Sequence, residues 1–487
     1  MPSTLSAPPG SRREFTAAFE PGSFRDREAR VFVIGDGGIY RALRGRAWQD
    51  WQSVEQSRFY ANARDKGAVI NSRALQGKEL PALFPPGWEG VLRHERVPFV
   101  SYPHEWSFGM LRDAALLQLA LVASALEDDF TLKDGKADNV QWQGAHPIFI
   151  DVASFERYEP GMAWAGYRQF CQTMLFPLML TAYRGIPFQP WLRGRLEGID
   201  PEDCWRMMSL RDVARRGVLA HVFLHARLQQ SSKMARSSTR RGLAQAGFNK
   251  RLIQANINGL TKIVRRMQWR GDRSAWLTYD DHNSYSPVDR ERKDDFLKRV
   301  LGARHRGMVW DLGCNTGRFA RMAAQHADYV VAMDADHAVI ERLYQSLARD
   351  PNLPEHRKIL PLMNNLADST GGQGFRGLER KPLLERGRPE LTLCLALIHH
   401  LAISAGIPLP ELVEWLSGLT DELVIEFVDP RDPMVEQLVL NRRDACFDYT
   451  REAFERLLAQ SFSVAAREEL PSGTRVLYHA LSRRAAR

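Results

Sequence analysis

Met308-Val-Trp-Asp311-Leu-Gly313-Cys314-Asn315-Thr-Gly317-Arg-Phe-Ala320 decides how this chain is read. Three apolar residues, Met308, Val309 and Trp310, run into a carboxylate, Asp311, as a short buried strand does when its tip opens toward a ligand. Gly313 and Gly317 follow inside a turn. Lacking Cβ atoms, they let a ligand approach the backbone and permit dihedrals closed to other residues. Phe319, Met322 and Ala323 then recur at helical spacing. A strand, a glycine turn and a helix in that order place a ligand at the carboxyl edge of a parallel sheet.

Downstream, apolar runs alternate with polar tips. Tyr329–Met333 ends in Asp334-Ala-Asp336. Lys358–Met363 leads to Asn364, Asn365 and Asp368. Leu391–Ile398 ends in His399-His400, and Leu423–Val428 in Asp429-Pro430. Helical patterns such as Leu412–Leu419 separate them, and Ser463–Arg467 with Arg475–Leu481 forms a closing hairpin around Pro471-Ser-Gly473. The predicted fold is therefore α/β, a parallel sheet covered by helices. The glycine pattern, Asp-x-Gly-x-x-x-Gly, differs from the Gly-x-Gly-x-x-Gly of dinucleotide-binding proteins. An acid at the second strand tip can accept both ribose hydroxyls, which makes Asp334 the first ribose candidate and Asp336 the second.

Over residues 291–487 these motifs resemble the class I S-adenosylmethionine methyltransferases. The resemblance implies a Rossmann-like domain that binds S-adenosyl-L-methionine. Asp311, Gly313, Cys314, Asn315 and Gly317 would lie along its methionine part, Asp334 and Asp336 at the ribose, and Asn365 and Asp368 near the adenine. A Rossmann-like domain with another ligand, or with none, is the competing reading. Ala396-Leu-Ile-His-His-Leu401 and Val424-Ile-Glu-Phe-Val-Asp-Pro430 are similar, more narrowly, to bacterial methyltransferases related to a nodulation host-specificity protein. That similarity implies a glycan, lipid-linked sugar or other small-molecule acceptor. An oxygen acceptor must lose a proton, and His399 and His400 are the candidate catalytic bases. Stacking on the cofactor or capping a helix would serve equally well as their role. Glu426, Asp429 and Asp432 are further candidates for the same mouth.

A second stretch, Thr131-Leu-Lys-Asp134-Gly-Lys-Ala-Asp-Asn139, precedes two short apolar runs, Val140–Trp142 and Ile148–Ile150, and then Asp151. Asn139 follows Asp134 at the spacing of a kinase catalytic loop. A hairpin would return Asp151 to Asn139, so the three side chains are expected to share one polar cleft. With the long apolar helix before it, this resembles the protein-kinase-like and aminoglycoside-phosphotransferase-like folds. The resemblance implies an α+β domain over residues 29–232, with Asp134 catalytic and Asn139 and Asp151 as metal ligands for Mg2+ and ATP. Several features depart from the pattern. Leu132-Lys133 stands before Asp134, Asp151-Val-Ala153 replaces Asp-Phe-Gly, and no strand matches Val-Ala-Ile-Lys, so no phosphate-pairing lysine can be named. The alternative is a polar turn whose Asp and Asn bond their own backbone.

Gly35-Asp-Gly-Gly38 between two apolar runs reads as a hairpin turn. Residues 1–28, rich in Pro, Ser, Gly and Arg, are expected to be a loose arm. Residues 233–290 read as a basic helical connector in which Ile253, Ile257, Leu260 and Val264 form one stripe and Lys262, Arg265, Arg266 and Arg270 another face. The 487 residues suffice for two or three cores. The net charge, 67 − 58 = +9, and the basic face leave an RNA methyltransferase open but not favoured. A non-catalytic two-domain binding protein is the third reading. Five scattered cysteines suggest neither a disulfide framework nor a metal site, which fits a cytoplasmic protein. The apolar runs Ala114–Leu126 and Thr173–Ala182 look too short to span a bilayer.

Overall fold

The computed structural model describes residues 18–34, 37–76, 87–227, 249–271, 274–278, 285–350, 352–440 and 449–483. It begins with five antiparallel strands: β1 (Ala18–Phe19), β2 (Ala29–Val33), β3 (Ile39–Leu43), β4 (Ser72–Ala74) and β5 (Gly90–His94), ordered β1-β2-β3-β5-β4. Helices Gly45–Glu55 and Arg58–Asp65 lie between β3 and β4 and bury Trp51, Val54, Phe59 and Tyr60. Next comes the helix Phe108–Glu127, started by Ser107, whose hydroxyl accepts the Met110 N–H. This helix is long and apolar enough to cross a bilayer, contrary to the expectation from the shorter run, but most of it is buried inside the protein.

Four short strands follow: β6 (Phe130–Leu132), β7 (Val140–Gln143), β8 (His146–Phe149) and β9 (Phe155–Arg157). β7 and β8 form the expected hairpin, while β6 pairs with β9. Residues 167–184 are helical, with a π-helical turn at Cys171–Leu175.

The C-terminal half holds β10 (Arg306–Leu312), β11 (Ala327–Asp334), β12 (Ile359–Met363), β13 (Leu391–Cys394), β14 (Glu422–Val428), β15 (Phe462–Glu469) and β16 (Arg475–Ser482). Their order is β12-β11-β10-β13-β14-β16-β15. β10 through β14 run parallel, and β16 is antiparallel to both its neighbours. This order, five parallel strands closed by an antiparallel hairpin, is the sheet that the resemblance to the class I methyltransferases implies. The central strands are buried on both faces, so they read as continuous apolar runs instead of alternating.

The two halves share one apolar core. Phe99 meets the Trp310 ring edge-on at 5.7 Å, and Trp142 meets Tyr344 at 5.6 Å. The Tyr329 hydroxyl donates to the Trp142 carbonyl and accepts the Gly144 N–H. Gly144, at φ +61°, turns the β7–β8 hairpin against the chain at His356–Arg357. A Cβ there would stand 2.4 Å from the His356 oxygen.

Several expectations need correction. Residues 18–28 are not a loose arm: β1 pairs with β2, and Arg25 makes a two-pronged ion pair with Glu379. The helix of the expected connector, Lys250–Arg266, buries Ile253, Ile257, Leu260 and Val264 and packs on Phe108–Glu127, which makes it part of the N-terminal half. The fourth apolar run is split. Its strand stops at Cys394, Ala396 takes a left-handed φ of +49°, and a helical turn begins at Ile398. Strand propensity alone cannot mark such a break, because Leu and Ile suit both states. Residues 1–17 of the expected arm, residues 233–248 of the connector, the cysteine at 446 and the turn residues 35–36 lie outside the described residues.

Candidate functional site

β10 and β11 bring Asp311 and Asp334 to neighbouring strand tips, and the glycine turn passes over both. Gly313 and Gly317 have φ of +72° and +82°. A Cβ on Gly317 would stand 2.5 Å from Leu343 Cδ1, so both the backbone and the packing call for glycine. The N–H groups of Gly313 and Cys314 both donate to the Met333 carbonyl, tying the turn to the end of β11. Asn315, at φ +48°, donates its backbone N–H to Asp334 Oδ2 and its Nδ2 to the Trp276 carbonyl.

Asp311 is buried, and its Oδ2 has no hydrogen-bond partner. Burial, and then the Asp334 carboxylate, push it up to about 7, against the pull of Lys293 and the Ala320 N–H. Burial also raises Asp334, opposed by the N–H groups of Asp336 and Asn315. Asp334 thus has two N–H donors, whereas the buried Oδ2 of Asp311 beside it has none. An orphaned acid oxygen beneath a glycine turn fits a ligand bearing a positive group.

A cleft of about 540 Å³ opens above this pair. Asp334, Asn364, Asn365, Leu397, His400 and Trp276 are among its lining residues. A recess beside Cys314, Asn315 and Thr316 continues it toward Tyr285 and Lys293. Gly313, Asn315, Asp334 and Asn365 line this cleft and Cys314 the recess, whereas Asp311 lies buried beneath the turn and Gly317 lines neither. Asp336 reaches the same rim, but its carboxylate caps the helix His337–Ala348 through the Ala338 and Val339 N–H groups and accepts the Ser274 hydroxyl at 2.6 Å. Asp368 departs from expectation. It turns away into a two-pronged ion pair with Arg193 at 2.7 and 2.8 Å, on a wider cleft between the two halves. Position next to Asn365 in sequence could not reveal a partner 175 residues away.

The two histidines separate. His400 lines the cleft, begins a π-helical turn at His400–Ser404, and meets the Trp276 ring edge-on at 5.1 Å. Burial, and then Arg475, lower it to about 4. His399 lies beneath it, buried, with no partner on Nδ1. Burial, then His400, Arg475 and Lys293, hold it far below the usual imidazole range. Glu426 is a satisfied core carboxylate that accepts from the Tyr285 hydroxyl at 2.6 Å and from Lys293 at 2.7 Å. Asp432 pairs with Arg475, and Asp429 with Arg431. These three acids leave the mouth to His400 and Trp276. Lys293 and Tyr285 carry no motif of their own and gain their place at the site because the helix Pro287–Gly302 folds back beside the glycine turn.

In the N-terminal half the three polar residues do approach one another. The carboxyl of Asp134 is raised by burial and by Asp151, with Lys136 and the Asn139 amide opposing. The Asn139 amide is buried beside Asp134, and the Asn139 carbonyl accepts the Ile150 N–H at 2.9 Å. Asp134 also bonds locally, accepting the Lys136 N–H, as the competing reading requires. Asp151 binds Arg41 of β3 at 2.6 Å, both half-buried. The sequence did not reveal Arg41 as a partner of Asp151, since no local motif links positions 110 residues apart. Among the described residues, no three His, Cys, Asp or Glu side chains are grouped to hold a metal. Asn139 and Asp151 could offer oxygens to one, with Asp151 already shared by Arg41.

No protein-family model matches the chain. The nodulation protein NoeA of Rhizobium meliloti strain 1021 is 32% identical over 465 residues, covering 94% of each chain. Among solved structures, the N-methyltransferase NodS of Bradyrhizobium japonicum WM9 with S-adenosyl-L-homocysteine matches at 13% identity and a TM-score of 0.30, over 41% of this chain and 90% of that one. The magnesium protoporphyrin IX methyltransferase of Synechocystis PCC 6803 with bound S-adenosylmethionine matches at 16% identity and a TM-score of 0.29, over 43% and 85%. With that identity over 94% of both chains, the chain belongs to the NoeA family.

Proposed function

We propose that the chain is an S-adenosylmethionine-dependent methyltransferase acting on a glycan, lipid-linked sugar or small-molecule acceptor. The observation that carries this reading is the buried pair Asp311 and Asp334 under a glycine turn, at the carboxyl edge of the seven-stranded sheet. The bound cofactor supplies an electrophilic methyl group. Asp334 accepts ribose hydroxyls, Asn365 stands on the adenine side, and Asp311 offers its unpartnered oxygen to a cationic group. His400 is unprotonated at neutral pH because burial holds it at about 4. It therefore accepts a hydrogen bond from the acceptor's O–H or N–H and points the acceptor's lone pair at the methyl. As a proton acceptor it is weak, so positioning carries the rate. Titration of S-adenosylhomocysteine into the wild type and Asp334→Ala tests the reading. Losing a hydrogen bond to a charged group costs roughly 1.5–3 kcal/mol, a loss in affinity of about tenfold or more. A folded variant with unchanged affinity removes Asp334 from the site.

A second reading concerns the N-terminal cleft, and the Arg41–Asp151 pair beside Asp134 and Asn139 favours it. A protein-kinase-like domain binding ATP with Mg2+ fits strands, loop and hairpin in this order, with Arg41 in place of a lysine. Magnesium-dependent ATP binding, lost in Asp151→Asn, tests it. An RNA acceptor using the basic helix face is the weaker alternative, and salt-dependent RNA retention would favour it. The unpaired thiols of Cys171, Cys204, Cys314 and Cys394 suit a cytoplasmic location.

A further inference from the structure

We infer that Arg380, contributed by the C-terminal half, is a positioning residue for the N-terminal polar cleft. The inference rests on the second reading above, that this cleft binds a ligand. The loop from Asp134 to Asn139 is held on one side by its own half. Gln169 accepts the Gly135 N–H, Thr173 accepts the Ala137 N–H, and Gln118 donates to the Lys136 carbonyl. The other side is held from 242 residues away. Arg380 Nε and Nη2 donate to the two oxygens of Asp138 at 3.0 and 3.1 Å, and Nη1 donates to the Leu192 carbonyl at 2.6 Å. The Arg380 guanidinium is almost fully buried, and it lies over the Tyr102 ring at 5.6 Å.

Asp138 and Asn139 share one turn of 3-10 helix, Ala137–Asn139. Fixing the Asp138 carboxylate in a two-pronged grip therefore fixes the direction in which Asn139 leaves the same turn. A planar fork gives angular as well as distance control, which a lysine cannot reproduce. The segment that carries Arg380 is itself pinned to the N-terminal half at both sides. Arg193 holds Asp368 upstream of it, and Glu105 holds Arg386 downstream in a buried two-pronged pair. Lys381 donates its N–H to the Tyr102 hydroxyl at 2.6 Å. The same segment begins at Asn364 and Asn365, which line the candidate cofactor cleft. The N-terminal loop thus takes its geometry from a C-terminal element that starts at the other site.

The test uses the full chain and hydrogen–deuterium exchange, which needs no ligand. Arg380→Ala and Asp138→Asn are compared with the wild type, the second variant keeping side-chain shape. Exchange over residues 134–140 should quicken about tenfold in both, while residues 311–317 and 334–336 keep their protection. Arg380→Lys should fall between. In parallel, Mg·ATP affinity should drop several-fold in both variants, and S-adenosylhomocysteine affinity should not change. Unchanged exchange at 134–140 overturns the inference, and so does a rise spread evenly over the chain, the mark of a merely structural arginine. If the wild type binds no Mg·ATP, the nucleotide reading of the cleft falls, and the exchange arm alone decides the role of Arg380.

Discussion

Replacing Asp311 with Asn should make the protein more stable at high pH than at low pH, relative to the wild type. The carboxyl of Asp311 rises from 3.8 to about 7 on folding, chiefly by burial. A raised carboxyl favours folding only while it is protonated. Its contribution is therefore unopposed below the unfolded value of 3.8, and a penalty grows as pH climbs through 7. At about 1.4 kcal/mol per pH unit, the full penalty is roughly 4 kcal/mol. By the same relation, about half of it is already present near pH 5.5. Asn removes the charge but leaves an unpartnered buried N–H in place of Oδ2, costing about 1–3 kcal/mol at every pH. The absolute stability change is thus small or of either sign, and the slope is diagnostic. Urea unfolding at about pH 5.5 and about pH 8.5 should show Asp311→Asn gaining roughly 2 kcal/mol on the wild type between the two. Parallel pH curves for the two proteins would refute the buried, uncompensated acid. Saturating S-adenosylhomocysteine should flatten the wild-type curve if its cationic group pairs with Asp311.

His400→Ala should cut turnover on an identified acceptor while cofactor affinity stays within about twofold, and wild-type activity should fall as pH drops toward 4, where the ring protonates. Full activity in that variant would exclude a role in orienting the acceptor, whereas His399→Ala should act on stability, because its ring is buried beneath His400. Gly317→Ala should cost about 1–3 kcal/mol in denaturant unfolding, since it forces an L residue to φ +82° against Leu343. Arg386→Ala should destabilise by about 3–5 kcal/mol by stranding buried Glu105, and the pair Glu105→Gln with Arg386→Met should recover much of that. A single variant as stable as the wild type would show that the pair does not bind the halves together.

What the sequence determined is local. Asp311-x-Gly313-x-x-x-Gly317 fixed a strand, a turn and a helix, because backbone freedom and apolar spacing act within a dozen residues. Asp334 was legible for the same reason, as a carboxylate ending an apolar run, and so was the β7–β8 hairpin that returns Asp151 to Asn139. The tertiary structure decided which polar groups keep a free hand. Asp336 is occupied by a helix end, Asp368 by Arg193, Glu426 by Lys293 and Tyr285, and Asp432 by Arg475. His399 and His400 are neighbours in sequence, yet the left-handed turn at Ala396 leads one into the core and the other onto the cleft. Arg41 met Asp151 and Arg380 met Asp138 across 110 and 242 residues. A charge is satisfied by whatever folding brings within about 3 Å of it, and no pattern along the chain carries that distance.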